Sequence, residues 1–250
     1  MARTISIPVL TMGMEFSAAV VPGHAPLPEV PPGLRSALHR CGPGAPPLRA
    51  RVRDVLREWI VEGLLSPGMR LYEQDVAVAL GISRVPIREA VRMLESEGYV
   101  AVHGRQVRVR TLDPVSVAHL FDVCETLEAL AARQAAQSIT PAGAQRLREL
   151  LEIGRVGLSG GGRPVADGVN MSLHEEISRL AGNEVLDGAL SPLRGRVQCL
   201  LRHSDDGHRI FDEHVAITEA VATGDSVRAG ELAASHMRAT GQEILAHLPG

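Results

Sequence analysis

Lysine is absent from this chain of 250 residues, so all 26 basic side chains are arginine. The bias travels with an excess of Ala, Gly and Val and reflects genome composition, not chemistry. Its glycine run, SGGGRP at 159–164, reads as a flexible connector and lacks the Lys and Ser/Thr of a phosphate-binding loop. Cysteine is scarce too. Cys41, Cys124 and Cys199 are odd in number and have no metal-ligand spacing, which excludes a disulfide framework and fits a reducing cytosol. No apolar run is long enough to span a membrane. Pro8 and Glu15 break the apolar N-terminal stretch that a secretory leader would need, so a cytoplasmic protein is expected. A nucleophile elbow is missing as well. His174 is followed by Glu175, Glu176, Ile177 and Ser178, with no second His at the spacing of a zinc-protease helix.

Residues 1–47 hold nine of the 16 prolines and few charges. They have little to bury, and a disordered Pro-rich extension is expected. Met12 and Met14 are candidate alternative starts of translation. The remaining length suits one small module, 48–112, followed by one domain of ordinary size, 113–250.

The segment from Gly68 to Gly104 carries the strongest pattern. Gly81-Ile82-Ser83 separates two short amphipathic stretches, one from about Glu73 to Leu80, the other starting at Arg84 with Ile87, Val91 and Leu94 at helical spacing. Helix, Gly-containing turn and helix make a helix-turn-helix, whose second helix enters the major groove N-terminus first. Ser83 is expected to cap that helix, and Pro86 fits its first turn. Arg84 and Arg88 then lie on the leading turn, where guanidinium groups pair with guanine or clamp phosphate. Upstream, Leu48, Val52, Val55, Leu56, Trp59 and Ile60 form one stripe of a further helix ending near Gly63. Downstream, 99–102 and 107–110 alternate as two strands of a hairpin wing, joined by a basic tip at 103–106. Residues 49–112 hold eleven Arg against eight acids, whereas 113–250 hold twelve against nineteen. The module that would meet phosphate is basic, and the remainder is acidic.

From Val115 onward only helical stripes occur, at 115–137, 141–158, 166–181, 184–203, 208–223 and 226–246. The fold class is therefore mainly α: a winged helix-turn-helix of three helices plus a β-hairpin, then an all-α bundle large enough for a cavity. Asn170 and His174 share one helix face and can hold one ion between them. His214 and His236 lie on apolar faces, while His203 and His208 read as surface. Each inward histidine taken alone is also compatible with a hydrogen-bonded core residue.

The stretches IVEGLLSPGMRL at 60–71, GISRVPIREAV at 81–91 and LESEGYV at 94–100 resemble the GntR-type winged-helix regulators. The resemblance implies DNA contacts at Gln74, Arg84, Val85, Arg88, His103 and Gly104. Val85 stands where the family often has Thr, exchanging a phosphate contact for an apolar one, and Gln74 stands where some members have Arg. FDVCETLEALAAR at 121–133, LHEEI at 173–177, AGN at 181–183 and EHVAI at 213–217, with His236 further on, are similar to the ligand-binding domain of the FadR subfamily, the FCD type. That likeness implies a divalent metal on Asn170, His174, His214 and His236, with Zn, Ni or Mn suited to three imidazoles and one oxygen. Asn170 replaces the more usual Asp, and Cys124 replaces a usual Arg. Arg196 and Arg202 are the candidate cations for an anionic effector.

Together these features point to a transcription regulator. The expected partners are a pseudo-palindromic operator in double-stranded DNA, a second copy of the chain, and a small carboxylate or sugar-acid effector near the metal, with no membrane. Two other readings are a metal-dependent hydrolase with a DNA-binding module, using Glu175 or Glu176 as base, and a constitutive DNA-binding protein without a metal.

Overall fold

The computed structural model describes residues 27–39, 44–104, 106–159, 163–201 and 207–248. Ten helices and one small sheet follow in order among them. The N-terminal part contains α1 (Pro32–His39), α2 (Leu48–Val61), β1 (Arg70–Leu71), α3 (Glu73–Leu80), α4 (Arg84–Ser96), β2 (Val100–His103) and β3 (Gln106–Val109). The rest is helical: α5 (Pro114–Ser138), α6 (Pro141–Ser159), α7 (Arg163–Ala181), α8 (Glu184–Leu201), α9 (Gly207–Ala222) and α10 (Ser226–His247).

Apolar spacing decides the N-terminal core. Val52, Val55, Leu56, Trp59 and Ile60 of α2 meet Ile87, Ala90, Val91 and Leu94 of α4, all buried. Between α3 and α4 the chain reverses at Gly81, with φ of 68°, a left-handed position that glycine takes without steric cost. The sheet is antiparallel in the order β1-β3-β2, with Leu71 opposite Val107 and Val100 opposite Val109. Val107 and Val109 face the core while Gln106 and Arg108 face solvent, the alternation of a half-buried strand.

Three expectations change here. The disordered extension does not include residues 27–39. Leu27, Val30 and Leu34 pack on the winged-helix core, and Leu38 is 3% exposed. A short apolar stripe between the prolines found a surface to cover. The N-terminal module gains β1, too short to show a period of its own but paired to the wing. Ser83 sits at the N-cap of α4 in an extended conformation, yet its side chain makes no capping hydrogen bond. Side-chain caps do form on α5, where Asp113 accepts from the Ser116 amide at 2.8 Å ahead of Pro114, and on α10, where Asp225 accepts from the Arg228 amide at 3.1 Å. Residues 1–26 of the expected extension, Arg105 at the hairpin tip, the glycines of the 160–162 connector, Arg202 and His203 lie outside the described residues.

In the helical part α5 packs along α10 and also touches α7, α8 and α9, while α6 covers α7 and α9. Leu173, Ile177, Leu186, Leu190, Ile217 and Val221 fill the core between them. One helix serves both halves. The inward face of α8 carries Leu186, Leu190, Arg194 and Val197, and another side of it meets the winged helix. Gly195 lies so close to the Tyr99 hydroxyl that no Cβ would fit there. The Tyr99 hydroxyl donates to the Pro192 carbonyl at 3.4 Å, and Cys199 packs on the N-terminal core. Among the described residues, no helix is long and apolar enough to cross a membrane.

Candidate functional site: an exposed arginine pair and a histidine cluster

The basic face of the N-terminal part is open. Arg84 and Arg88 on the first turns of α4 have side chains 56% and 55% exposed, and Val85 between them is also exposed. Gln74, His103 and Gly104 are exposed as well. Glu73 ties the two arginines together, with its Oε2 3.3 Å from Arg88 Nε and 3.8 Å from Arg84. These exposed pairs are weak, so phosphate or a guanine edge can displace Glu73 at small cost.

Within the bundle, α7, α9 and α10 bring His174, His214 and His236 together. Their ring centroids lie 4.6–5.5 Å apart, and one nitrogen from each falls within 4.8 Å of the others. The Nε2 atoms of His174 and His214 face each other at 3.2 Å. Carboxylates hold two rings from behind. Glu213 Oε2 lies 2.6 Å from His236 Nδ1, and Glu128 Oε2 lies 3.3 Å from His174 Nδ1. A carboxylate at Nδ1 makes that nitrogen the donor and leaves Nε2 as a lone pair aimed inward.

Both carboxylates are themselves anchored. Arg194 donates to Glu128 from Nε at 2.7 Å and from its terminal nitrogen at 3.3 Å. Arg209 bridges Glu213 and Glu243. Burial alone would push the Glu128 carboxyl up, but His174 and Arg194 outweigh it and hold it at about 2. Burial drives His214 well below the usual histidine range, with His236 and His174 adding repulsion. His236 is lowered by burial too, although Glu213 opposes the shift. His214 and His236 are thus held as neutral imidazoles, the form that coordinates metals.

Asn170, one turn before His174 on α7, lines the same pocket, and its Oδ1 is buried without a hydrogen-bond partner. An orphaned oxygen beside three converging nitrogens is the donor set a divalent cation requires, so the residues fit a metal ion. About 400 Å³ of space free of protein atoms lies in and over the pocket, open solvent included. Cys124 forms part of its wall, with a thiol that burial pushes up to about 12 and so keeps neutral.

The effector expectation needs correction. Arg196 does not line the pocket; its guanidinium lies against Gly98 of the winged helix, and its Nε has no hydrogen-bond partner. Two helical residues apart means about 200° of rotation, so Arg194 points in and Arg196 points out. The inward stripe through 186, 190, 194 and 197 carries that information in the sequence. Glu128 and Glu213 were missed likewise. Glu128 sits four residues after Cys124 on an otherwise apolar stripe, and Glu213 directly precedes His214. Neither proposed base reaches the cluster: Glu175 is exposed, and Glu176 is held by Arg179 at 2.5 Å.

A winged helix with an exposed arginine pair, joined through one shared helix to a bundle with a buried histidine site, defines a ligand-responsive DNA-binding regulator. Comparison with known proteins gives the family. Residues 48–108 match the GntR family of bacterial regulatory proteins, and residues 119–239 match the FCD domain. The chain belongs to the GntR-family regulators that carry an FCD domain. It is 28% identical over 195 residues to the "Probable D-xylose utilization operon transcriptional repressor" of Paenarthrobacter nicotinovorans, covering 76% of this chain and 85% of that one. It is 25% identical over 184 residues to the gluconate operon transcriptional repressor of Bacillus subtilis, covering 70% and 76%. The solved structure of E. coli McbR/YncC shares the fold, with a TM-score of 0.70 at 22% identity over 78% of this chain and 95% of that one.

Proposed function

We propose that the chain is a metabolite-responsive repressor of the cytoplasm and not an enzyme. It binds a pseudo-palindromic operator as a homodimer. Its DNA affinity is set by a small acid held at a divalent metal, zinc in first place and Ni or Mn as alternatives. The observation that carries this reading is the convergence of three imidazoles and the orphaned Asn170 oxygen, with carboxylates behind two of the rings. Arg84 and Arg88 read or clamp the operator, Val85 packs on a base edge, and Gln74, His103 and Gly104 are the remaining DNA contacts that the family resemblance implies. Asn170, His174, His214 and His236 hold the ion. When bound, it supplies a Lewis-acidic position for a carboxylate oxygen.

The same side chains give a path to the DNA. Arg194 holds Glu128, which orients His174. The next residue of α8, Gly195, abuts Tyr99, which immediately follows the helix-turn-helix. An acid that rearranges the pocket therefore shifts the seat of the winged helix, and the operator prefers one of the two placements. Metal analysis of protein purified without chelator tests this reading. One ion per chain is expected in the unaltered protein and none in the His214→Ala/His236→Ala double variant. A folded unaltered protein that takes up no divalent metal would leave the histidines as core residues and remove the basis of the proposal.

A further inference from the structure

Relatives named for sugar and sugar-acid operons invite the transfer of their ligands, but the hydrogen-bonding inventory of this pocket opposes it. We infer that the pocket takes a short monocarboxylate whose remainder is apolar, and not a polyhydroxylated sugar acid. This rests on the reading that an acid binds at the histidine-held metal.

Nearly every polar group on the described lining is already committed. Both oxygens of Glu128 are taken, by Arg194 and by His174. Arg194 Nη1 lies 3.6 Å from Asp187, an ion-pair contact longer than a hydrogen bond. The Nδ1 atoms of His174 and His236 face carboxylates, and their remaining nitrogens belong to the metal. With Asn170 Oδ1 turned to the ion, the Asn170 amide nitrogen, the Thr240 hydroxyl and Arg194 Nη1 are what is left to meet a ligand. The Thr240 oxygen is likewise buried without a partner. Around them stand Cys124, Met171, Val197, Leu201, Ile210 and Met237, which offer methyl, methylene and sulfur surface.

Two consequences follow from that inventory. The first concerns charge. Three imidazoles and one amide bring no negative charge to the ion's immediate shell, while the carboxylates behind them outnumber their arginines, Glu128 and Asp187 sharing Arg194 and Glu213 and Glu243 sharing Arg209. A single carboxylate supplies that charge, and among the described lining residues no uncommitted cation waits for a second one. The second concerns hydroxyls. A sugar acid would carry most of its row of hydroxyl groups against methyl, methylene and sulfur surface, with only Asn170, Thr240 and Arg194 Nη1 to meet them. Each hydroxyl stripped of water and left unpaired lowers affinity on the order of tenfold or more. An alkyl chain of similar length gains from the same walls. The difference favours the apolar acid by several tenfold steps before any contact is optimised.

The test uses the full chain loaded with one equivalent of zinc and titrated calorimetrically with sodium pentanoate and, separately, sodium gluconate. Pentanoate is expected to bind at least tenfold more tightly than gluconate, and to lose binding when zinc is withheld. Replacing Met171 with Gln puts an amide into the apolar wall and should narrow the preference between the two acids. Gluconate binding as tightly as pentanoate, or more tightly, would overturn the ligand class while leaving acid sensing intact. If zinc binds and neither acid does, the acid-sensing reading itself fails and this inference falls with it. Pentanoate binding that is indifferent to zinc would place the acid away from the cluster and would also overturn the inference.

Discussion

Replacing Arg194 with Met should destabilise the helical part sharply, because Arg194 and Glu128 form an ion pair almost without solvent. They are 5% and 3% exposed, and two guanidinium nitrogens lie 2.7 and 3.3 Å from the carboxylate. Coulomb energy alone misjudges such a pair, since desolvation offsets most of it. Removing one partner is another matter: Glu128 would keep its charge with only His174 beside it. The loss is then about 3–5 kcal/mol, a large share of the roughly 5–15 kcal/mol that stabilises a typical protein. Glu128→Gln with Arg194→Met removes both charges and should recover most of that loss. The assay is urea unfolding of chelator-treated protein, followed by helical circular dichroism. Trp59, the single tryptophan and buried in α2, reports the winged helix separately by fluorescence. Its transition should move less. A loss below about 1 kcal/mol for Arg194→Met, or strictly additive single and double variants, would show that solvent screens the pair. The electrostatic account of the site would then be wrong.

Other expected outcomes touch the remaining parts. Arg84→Ala or Arg88→Ala should cost about 1–3 kcal/mol of specific operator binding in a gel-shift titration while leaving the melting temperature unchanged. Unchanged affinity would mean that the leading turn of α4 does not face DNA. Removing residues 1–44 should lower winged-helix stability by about 1.5–3 kcal/mol through loss of the Leu38 side chain alone, whereas removing residues 1–26 keeps that contact. Equal stability of the two truncations would show α1 to be dispensable. In metal-free protein, His214 and His236 are held neutral below the ordinary 6.5, so the unfolded chain binds more protons than the folded one once pH drops under that value. Stability should be full above about pH 6.5 and fall below it, by up to about 1.4 kcal/mol per histidine per pH unit. A flat melting temperature between pH 7.5 and 5.5 would contradict their burial as neutral rings.

Periodicity made the helices legible: the six stripes read beyond Val115 correspond to α5–α10 with ends shifted by a few residues, because each has one face to bury. Composition misled at α1, where prolines concealed four apolar residues that have a surface to cover. Pairing misled at β1, since two residues have no period and only the wing defines them. In the site, the three histidines were readable from their apolar neighbours and the family likeness. The charged groups behind them were not, because a buried carboxylate looks like any surface Glu until its partner on another helix is known. Glu128 and Arg194 are 66 residues apart and meet only through the packing of α5 on α8. Position 194, unlike 196, falls on the inward stripe through Leu190 and Val197, so its direction is legible in the sequence.

The central claim is that this chain reads a specific DNA sequence under the control of its helical part. The most direct measurement is to sequence the fragments of its own genomic DNA that the purified full chain retains, with and without added zinc. The account predicts enrichment of a two-fold symmetric site, lost when both Arg84 and Arg88 are changed to Ala. Retention of fragments sharing no sequence, unaffected by metal or by those substitutions, would contradict it.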